Sequence, residues 1–503
     1  ESTSLIAYRA SELLIEAGIP VGLFQLCLGK GSEVGSYLSG NNKIAGIAFT
    51  GSNEVAKQIK KSLIDCGNIE ARLIAETGGL NAMVVDSTAL CEQVTRDVID
   101  SAFKSAGQRC SALRILMIQD DCYEEVVSMI KGAMKEIGCG NTKYLDIECG
   151  PVINSAAQYK LQSYIDKARR NNQIIEELDI KSKIGFFVSP TLIRLESMDD
   201  IQEEFFGPIL HVLSYKDDEL EKTIDQLNSK GFGLTFGIHS RIEKKVKDIS
   251  LRVNAGNIYI NRNQIGAVVG SQPFGGEGLS GTGPKAGGPN SLHGYSQNIL
   301  SRERSNHTVF LSDDPIDARE PLPPSLQLSN ELLLKLKRAF PNIEEDFFEF
   351  LNQEVLKYSS NISLPGPTGE SNQLSYKPKG TVLCLGPEPD ELLKQTLLSL
   401  FLGNSVICPI SSKDCNILIE LGFKKENILR LNDSPSMSLL VSNLYSAVFY
   451  SGNSTSMQEI ILASRSELIT IVSSIYESWE LLKEQVVTED TTASGGNANL
   501  LAL

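Results

Sequence analysis

Apolar positions in the first eighty residues recur with two alternating periods. In LIAYRASELLIEA (5–17), Leu5, Leu13 and Leu14 share one helical stripe, and Gly18 follows as a stop. The apolar run GLFQLCL (22–28) predicts a short strand. GKGSEVGSYL predicts a turn into a helix, IAGIAFT a strand, GSNEVAKQIKKSL a helix capped by Ser52 or Asn53, and EARLIAE a further strand. Alternation of this kind predicts a parallel sheet with helices on both faces. Ligands of such sheets gather at the carboxyl ends of the strands, where FTGS (49–52) and the Glu76 end of RLIAETGG fall.

From about 78 to 265 the α/β pattern continues, with helices expected at CEQVTRDVIDSAFKSA and CYEEVVSMIKGAMKEI and strands at RILMIQ and VNAGNIYIN. Next comes VVGSQPFGGEGLSGTGPKAGG. Glycine at that density lets a loop pass close to a ligand or another chain. The glycines of GKGSEVG imitate a dinucleotide fingerprint, but their spacing is wrong, and they are read as packing devices. A charged and then proline-rich stretch, 303–327, marks a boundary.

The last segment echoes the first. LLIEAGIPVGLFQL (13–26) resembles ILIELGFKKENILRL (417–431), and IAGIAFTGSNEVAKQI (44–59) resembles YSAVFYSGNSTSMQEI (445–460). The later copy also has upstream parts, KGTVLCLGPEPDELLKQTLLSLFLGNSVICPI, that read as strand, helix and strand. The first copy therefore begins in mid-fold, and the second, which has nothing like GQRCSA, is a chemically silent duplicate.

Composition narrows the function. The 503 residues are 41% hydrophobic and 22% charged, enough for two or more globular units. The net charge of -15 and the absence of any Lys/Arg block argue against a nucleic-acid partner. Apolar runs such as LLSLFL break off long before a bilayer could be crossed. The opening ESTSLIAYRA has neither an initiator Met nor a signal-peptide profile, which suggests a fragment. Ten cysteines without CxxC pairs or histidines at zinc spacing read as reduced thiols of a cytoplasmic protein, with no metal site.

Among those thiols Cys110 stands apart, in GQRCSA. Arg109 beside it would favour the thiolate, and Gly107 frees the backbone. A lone cysteine is more often structural than reactive. None of His211, His239, His293 and His307 has an obvious catalytic setting, which disfavours a Cys/His hydrolase without excluding it. Glu76, at the end of an apolar strand, is a better partner: desolvation there would raise its pKa toward that of a working base.

The ordered motifs ETGG, GQRC, FTGS, EEFFGP (203–208) and PFGGEGLSG (273–281) resemble those of the aldehyde dehydrogenase superfamily over about residues 1–300. More narrowly, AETGGLNAMVVDSTAL, SAFKSAGQRCSALR, LPGPTGE (364–370) and TASGGNANL (492–500) are similar to the C-terminal half of the bifunctional bacterial proline utilization A (PutA) family. The implied fold is α/β, an aldehyde dehydrogenase fold whose Rossmann-like domain is N-terminally truncated, followed by a degenerate copy of that domain.

The division that follows is 1–77, remainder of the NAD-binding domain; 78–265, catalytic domain; and 266–302, closing loop and return to the NAD domain. Residues 303–327 are a linker, 328–487 the degenerate C-terminal domain and 488–503 a tail. The implied activity is NAD-dependent oxidation of glutamate γ-semialdehyde to glutamate, with Cys110 as nucleophile and Glu76 as base. Glu1, Thr50, Gly51, Ser52, Glu204 and Phe206 would bind NAD, and Ser111, Gly266, Ala267 and Phe274 the substrate.

The resemblance places an oxyanion-stabilising Asn and a ribose-contacting Lys before residue 1, so the chain alone is expected to be impaired. The implied partner is an absent N-terminal proline dehydrogenase part carrying FAD, in a homo-oligomer, with the inner-membrane surface as an alternative location for the parent. Two other readings stay open: a non-catalytic cover or assembly module at 328–503, and an NAD-independent thiol hydrolase or acyltransferase.

Overall fold

The computed structural model describes residues 3–69, 71–180, 185–296, 328–431, 437–440, 444–452, 456–457, 459–460 and 469–492. The expected linker at 303–327 and nearly all of the tail from 493 lie outside them.

Helix α1 (Ser4–Glu16) forms where its period predicts and stops at Gly18, whose φ of +100° few other residues adopt. After the short α2 (Ser36–Ser39) come strand β1 (Gly46–Thr50), helix α3 (Asn53–Asp65) and strand β2 (Arg72–Glu76). The two strands pair in parallel, with Thr50 opposite Glu76, and form a sheet of their own. The Ser52 side chain caps α3, accepting from the Val55 N–H at 3.3 Å.

The strand expected at 22–28 does not form. That run is turn and irregular backbone, with Leu23 81% exposed, and the apolar stripe of α1 is likewise uncovered, with Leu5 83% exposed. A strand needs an edge to pair with, and none is offered to this one among the described residues.

The larger sheet is built first from β3 (Ala82–Val85), β4 (Ile115–Gln119), β5 (Ile174–Glu177), β6 (Thr191–Leu195), β7 (Ile209–Tyr215), β9 (Thr235–His239) and β10 (Asn257–Ile260). Two-residue strands, β8 (Phe232–Gly233) and β11 (Glu277–Gly278), pair separately and tie the glycine loop to its base. Helix α4 (Cys91–Phe103) crosses from β3 to β4. The central strands are buried on both faces, which is why AMVV and ILMIQ are apolar without alternation.

The C-terminal segment supplies β12 (Ile362–Leu364), β13 (Glu370–Pro378), β14 (Thr381–Cys384), β15 (Ser405–Cys408), β16 (Ile428–Arg430), β17 (Ala447–Phe449), β18 (Thr470–Val472) and β19 (Leu482–Asp490). Strands 14 to 18 make a five-stranded parallel sheet in the order β16-β15-β14-β17-β18. The repeat aligns β1 with β17, so the β1–β2 pair corresponds to the last two of those five strands. It also aligns 23–26 with β16, which is held by β15; the first copy has no such neighbour among the described residues.

The other C-terminal strands join the larger sheet, whose ten-strand order is β12-β13-β19-β10-β9-β3-β4-β7-β6-β5. Strand β19 pairs in parallel with β10 and antiparallel with β13 from Glu370↔Asp490 to Pro378↔Leu482. The expected division between 487 and 488 therefore falls inside a strand.

Candidate active site

Cys110 follows a turn that α4 could not make as a helix. Beyond Phe103 the backbone passes through left-handed conformations at Ser105 (φ 58°), Ala106 (φ 53°) and Gly107 (φ 64°). Two non-glycine residues there are strained, and the surroundings hold them. The Ser105 N–H donates to the Glu148 carbonyl at 3.2 Å. Arg114, fully buried, donates to the carbonyls of Gly107 at 2.7 Å and Arg109 at 3.1 Å. Asn81 Nδ2 donates to the carbonyls of Cys110 at 2.6 Å and Ala112 at 2.9 Å.

The sulfur is half-buried, and its thiol is pushed up, first by burial and then by the charges of Glu76 and Glu204. The backbone N–H groups of Ser111 and Cys110 oppose this only in part. Arg109 does not play the role expected of it. Its side chain is exposed and Nε donates to Ser105 Oγ at 3.1 Å, so the guanidinium that organises the turn is Arg114.

Glu76 ends β2 buried under the glycine loop. Its Oε2 accepts from the Gly276 N–H at 3.2 Å, Oε1 has no partner among the described residues, and its backbone bridges to Gly281. Burial pushes its carboxyl up to about 8 against the pull of the Lys285 ammonium. The Glu76 carbonyl accepts from the Gly51 N–H at 3.1 Å, so the FTGS turn of Thr50, Gly51 and Ser52 is tied to the same strand end.

Glu204 is also drawn in. Arg114 Nε and Nη2 donate to its Oε1 at 3.2 and 3.0 Å, while its Oε2 occupies the space over Gly78, where a Cβ would overlap it. Burial raises its carboxyl and Arg114 restrains the rise. Phe206 covers the Arg114 guanidinium at 5.1 Å and is 44% exposed, whereas Phe205 stacks on Tyr164.

The candidate substrate residues are less tightly assembled. Ser111 is buried, and its carbonyl accepts from Thr235 Oγ1 at 3.2 Å and Gln264 Nε2 at 3.3 Å. Gln264 in turn begins the loop bearing Gly266, at φ +78°, and Ala267. Phe274 is half-buried and pairs by backbone with Ala286. Glu1 lies outside the described residues.

Among the described residues, no histidine is paired with Cys110 or Glu76. His211 is fully buried, contacting the Arg114 carbonyl and Tyr164 OH at 2.9 Å each, and burial pushes it down to about 4. The sequence reading passed over Arg114, Lys285, Asn81 and Gln264. Their common signal is a polar or charged side chain set alone in an apolar or glycine-rich run, as in ALRILMI and GTGPKAGG.

Residues 1–299 match the aldehyde dehydrogenase family model. The chain is 37% identical over its whole length to the bifunctional protein PutA of Escherichia coli (strain K12), of which it covers 39%. It is 34% identical to the 1-pyrroline-5-carboxylate dehydrogenase of Geobacillus thermodenitrificans, over 58% of this chain and 57% of that one. The crystal structure of Bradyrhizobium japonicum proline utilization A superposes with a TM-score of 0.56 at 46% identity, covering 58% of this chain and 30% of that one. A Thermus 1-pyrroline-5-carboxylate dehydrogenase with bound NAD gives 0.53 at 32% identity, over 56% and 55%. The chain thus spans well under half the length of the PutA proteins it matches.

Proposed function

The chain belongs to the aldehyde dehydrogenase family, and from that premise we propose that it is the part of a bifunctional proline-catabolic protein that oxidises glutamate γ-semialdehyde to glutamate with NAD. The observation that carries this reading is that the Cys110 thiol lies within the field of both Glu204 and Glu76, the latter held at the end of β2 by the Gly276 N–H of the glycine loop.

Hydrolysis of a thioester needs a base for the attacking water, and at this site Glu76 is a carboxylate whose protonation falls in the useful range. Cys110 releases its proton to solvent, and the thiolate sulfur bonds to the aldehyde carbon. Bound NAD would accept the hydride that leaves this carbon, turning the adduct into a thioester on Cys110. Glu76 then takes a proton from the attacking water, the C–S bond breaks, and glutamate leaves with the thiol restored.

The residues present suit the dinucleotide. The thirteen-residue α3 presents its N-terminus and Ser52 at the FTGS turn, Glu204 is a carboxylate anchored through one oxygen by Arg114, and the Phe206 ring is open on one side. Ser111, Gly266, Ala267 and Phe274 would receive the amino-acid end of the substrate. Residues 1–77 and 266–302 are read as the NAD-domain portion, 78–265 as the catalytic domain and 328–487 as the degenerate copy. FAD would be carried by the proline dehydrogenase part that the resemblance implies, not by these residues. No helix among the described residues is long and apolar enough to cross a membrane.

The test mixes the complete polypeptide with the semialdehyde and NAD+ and follows absorbance of the reduced nicotinamide. Cys110→Ala is expected to abolish the signal. Glu76→Gln is expected to retain one burst per site and stall at the thioester. A Glu76→Gln variant that turns over normally would remove Glu76 from the role of base, and semialdehyde consumed without reduced nicotinamide would favour an acyl-transfer thiol enzyme.

A further inference from the structure

Lys285 is the one basic residue of the glycine-rich stretch 268–288, and its ammonium is wholly buried. Nζ donates to Asn257 Oδ1 at 2.8 Å and to the Gly275 carbonyl. Gly275 acts as a spacer: a Cβ at that position would stand 2.9 Å from Glu76 Oε1 and 3.3 Å from the Lys285 Cα. Glu76 and Lys285 thus flank one glycine, each within the other's field.

The far side of Lys285 is held by the C-terminal segment. Its backbone N–H donates to Glu484 Oε2 at 2.8 Å, and Asn290 Nδ2 donates to Glu484 Oε1 at 2.9 Å. Glu484 lies on β19, which pairs with β10 through Asn257↔Val486. One strand pair therefore sets both anchors of Lys285, the Asn257 side chain for its ammonium and the Glu484 carboxylate for its backbone.

We propose that Lys285 is the counter-charge of the base Glu76 and that Glu484, supplied by the C-terminal segment, is the positioning residue that holds it there. The inference rests on the reading of Glu76 as the base that releases the thioester. The C-terminal segment then serves deacylation without touching substrate.

Burial penalises each ion alone, raising the Glu76 carboxyl and lowering the Lys285 ammonium, and their mutual field opposes both effects. The other groups acting on Glu76 are the Gly276 N–H, which lowers its pKa, and the Glu484 charge, which raises it. Those acting on Lys285 besides Glu76 are Glu484 and Glu277, the latter paired with Lys483 at 3.2 Å. Removing the Lys285 charge leaves only the Gly276 N–H to oppose the burial of Glu76, so the base becomes ionised only at higher pH.

The experiment uses the complete polypeptide and two pH titrations. One is steady-state turnover limited by deacylation. The other is the infrared band of the protonated carboxyl, assigned by its loss in Glu76→Gln and independent of turnover. Lys285→Met is expected to move both midpoints up by about one pH unit or more while the first hydride burst persists, and Lys285→Arg is expected to keep them near the parent value.

Glu484→Gln and Glu484→Ala both lack the charge, so their difference reads the hydrogen bonds by which this side chain holds the Lys285 backbone, directly and through Asn290. The alanine midpoint should lie above the glutamine one by about half a unit. An infrared midpoint unmoved by Lys285→Met, or Glu484→Ala and Glu484→Gln midpoints that coincide, would overturn the proposal. Should Lys285→Met fail to fold, the Glu484 pair decides it. A parent protein whose band titrates as described but which forms no reduced nicotinamide would sink the dehydrogenase reading, while the band shifts would still establish the pairing.

Discussion

At Gly78 the space for a side chain is already taken by Glu204 Oε2. The obstructing atom is the end of a flexible side chain, so Gly78→Ala should be tolerated by the fold and felt by the carboxylate, which must leave the position that Arg114 helps to set. The expected outcome is a KM for NAD raised about tenfold, the equivalent of one lost charge-assisted hydrogen bond, with a thermal midpoint close to the parent's. A variant with unchanged KM would place Glu204 outside the cofactor site. The same residue scale explains why the chemistry needs two carboxylates in different settings. Arg114 pins Glu204, whereas Glu76 has one oxygen without a partner among the described residues and a raised pKa, which is what a group must have to trade protons near neutrality.

The nucleophile turn is where an element, rather than a residue, carries the argument. Helix α4 and strand β4 were legible from their periods, but nothing local in KSAG announces three successive left-handed residues. Only Gly107 is suited to one, and it is also pressed against the Gly207 carbonyl, where a Cβ would overlap rigid backbone. Gly107→Ala should therefore cost about 2 kcal/mol or more of unfolding free energy and shift the alkylation rate of Cys110, since the turn can relieve the overlap only by moving. Equilibrium denaturation and thiol labelling check the two effects. A stable variant with native labelling would show that the turn does not fix the sulfur. The failed strand at 22–28 teaches the converse lesson. Its apolar pattern is sound, and the matching stretch in the C-terminal copy becomes β16, but a strand exists only where another offers it backbone partners.

For the whole molecule, the decisive feature is β19. Residues 328–503 were open to a reading as a non-catalytic cover or assembly module, yet β12, β13 and β19 continue the larger sheet and Glu484 reaches the loop over Glu76. Removing everything after residue 327 would bare the β10 edge and strip the loop of its anchor. The expected product is an aggregating chain with little burst activity, measured by light scattering and single-turnover absorbance. A monodisperse, fully active truncation would mean that β19 only decorates the sheet.

What the chain determined by itself is what depends on neighbours in sequence. Periodicity placed α1, α3, α4 and the strands β1, β2, β4, β10, β14 and β15, the repeat identified two related units, and the resemblance carried by ETGG, GQRC and EEFFGP pointed to Cys110, Glu76 and Glu204. Tertiary structure decided what depends on contact across the chain. It replaced Arg109 by Arg114 as the organiser of the turn, buried Lys285 beside Glu76, and drew the last strand into the first sheet. A local pattern shows which residues can form a helix, a strand or a nucleophile. The charge a buried group carries, and the edge a strand joins, are set by atoms brought close only when the fold closes.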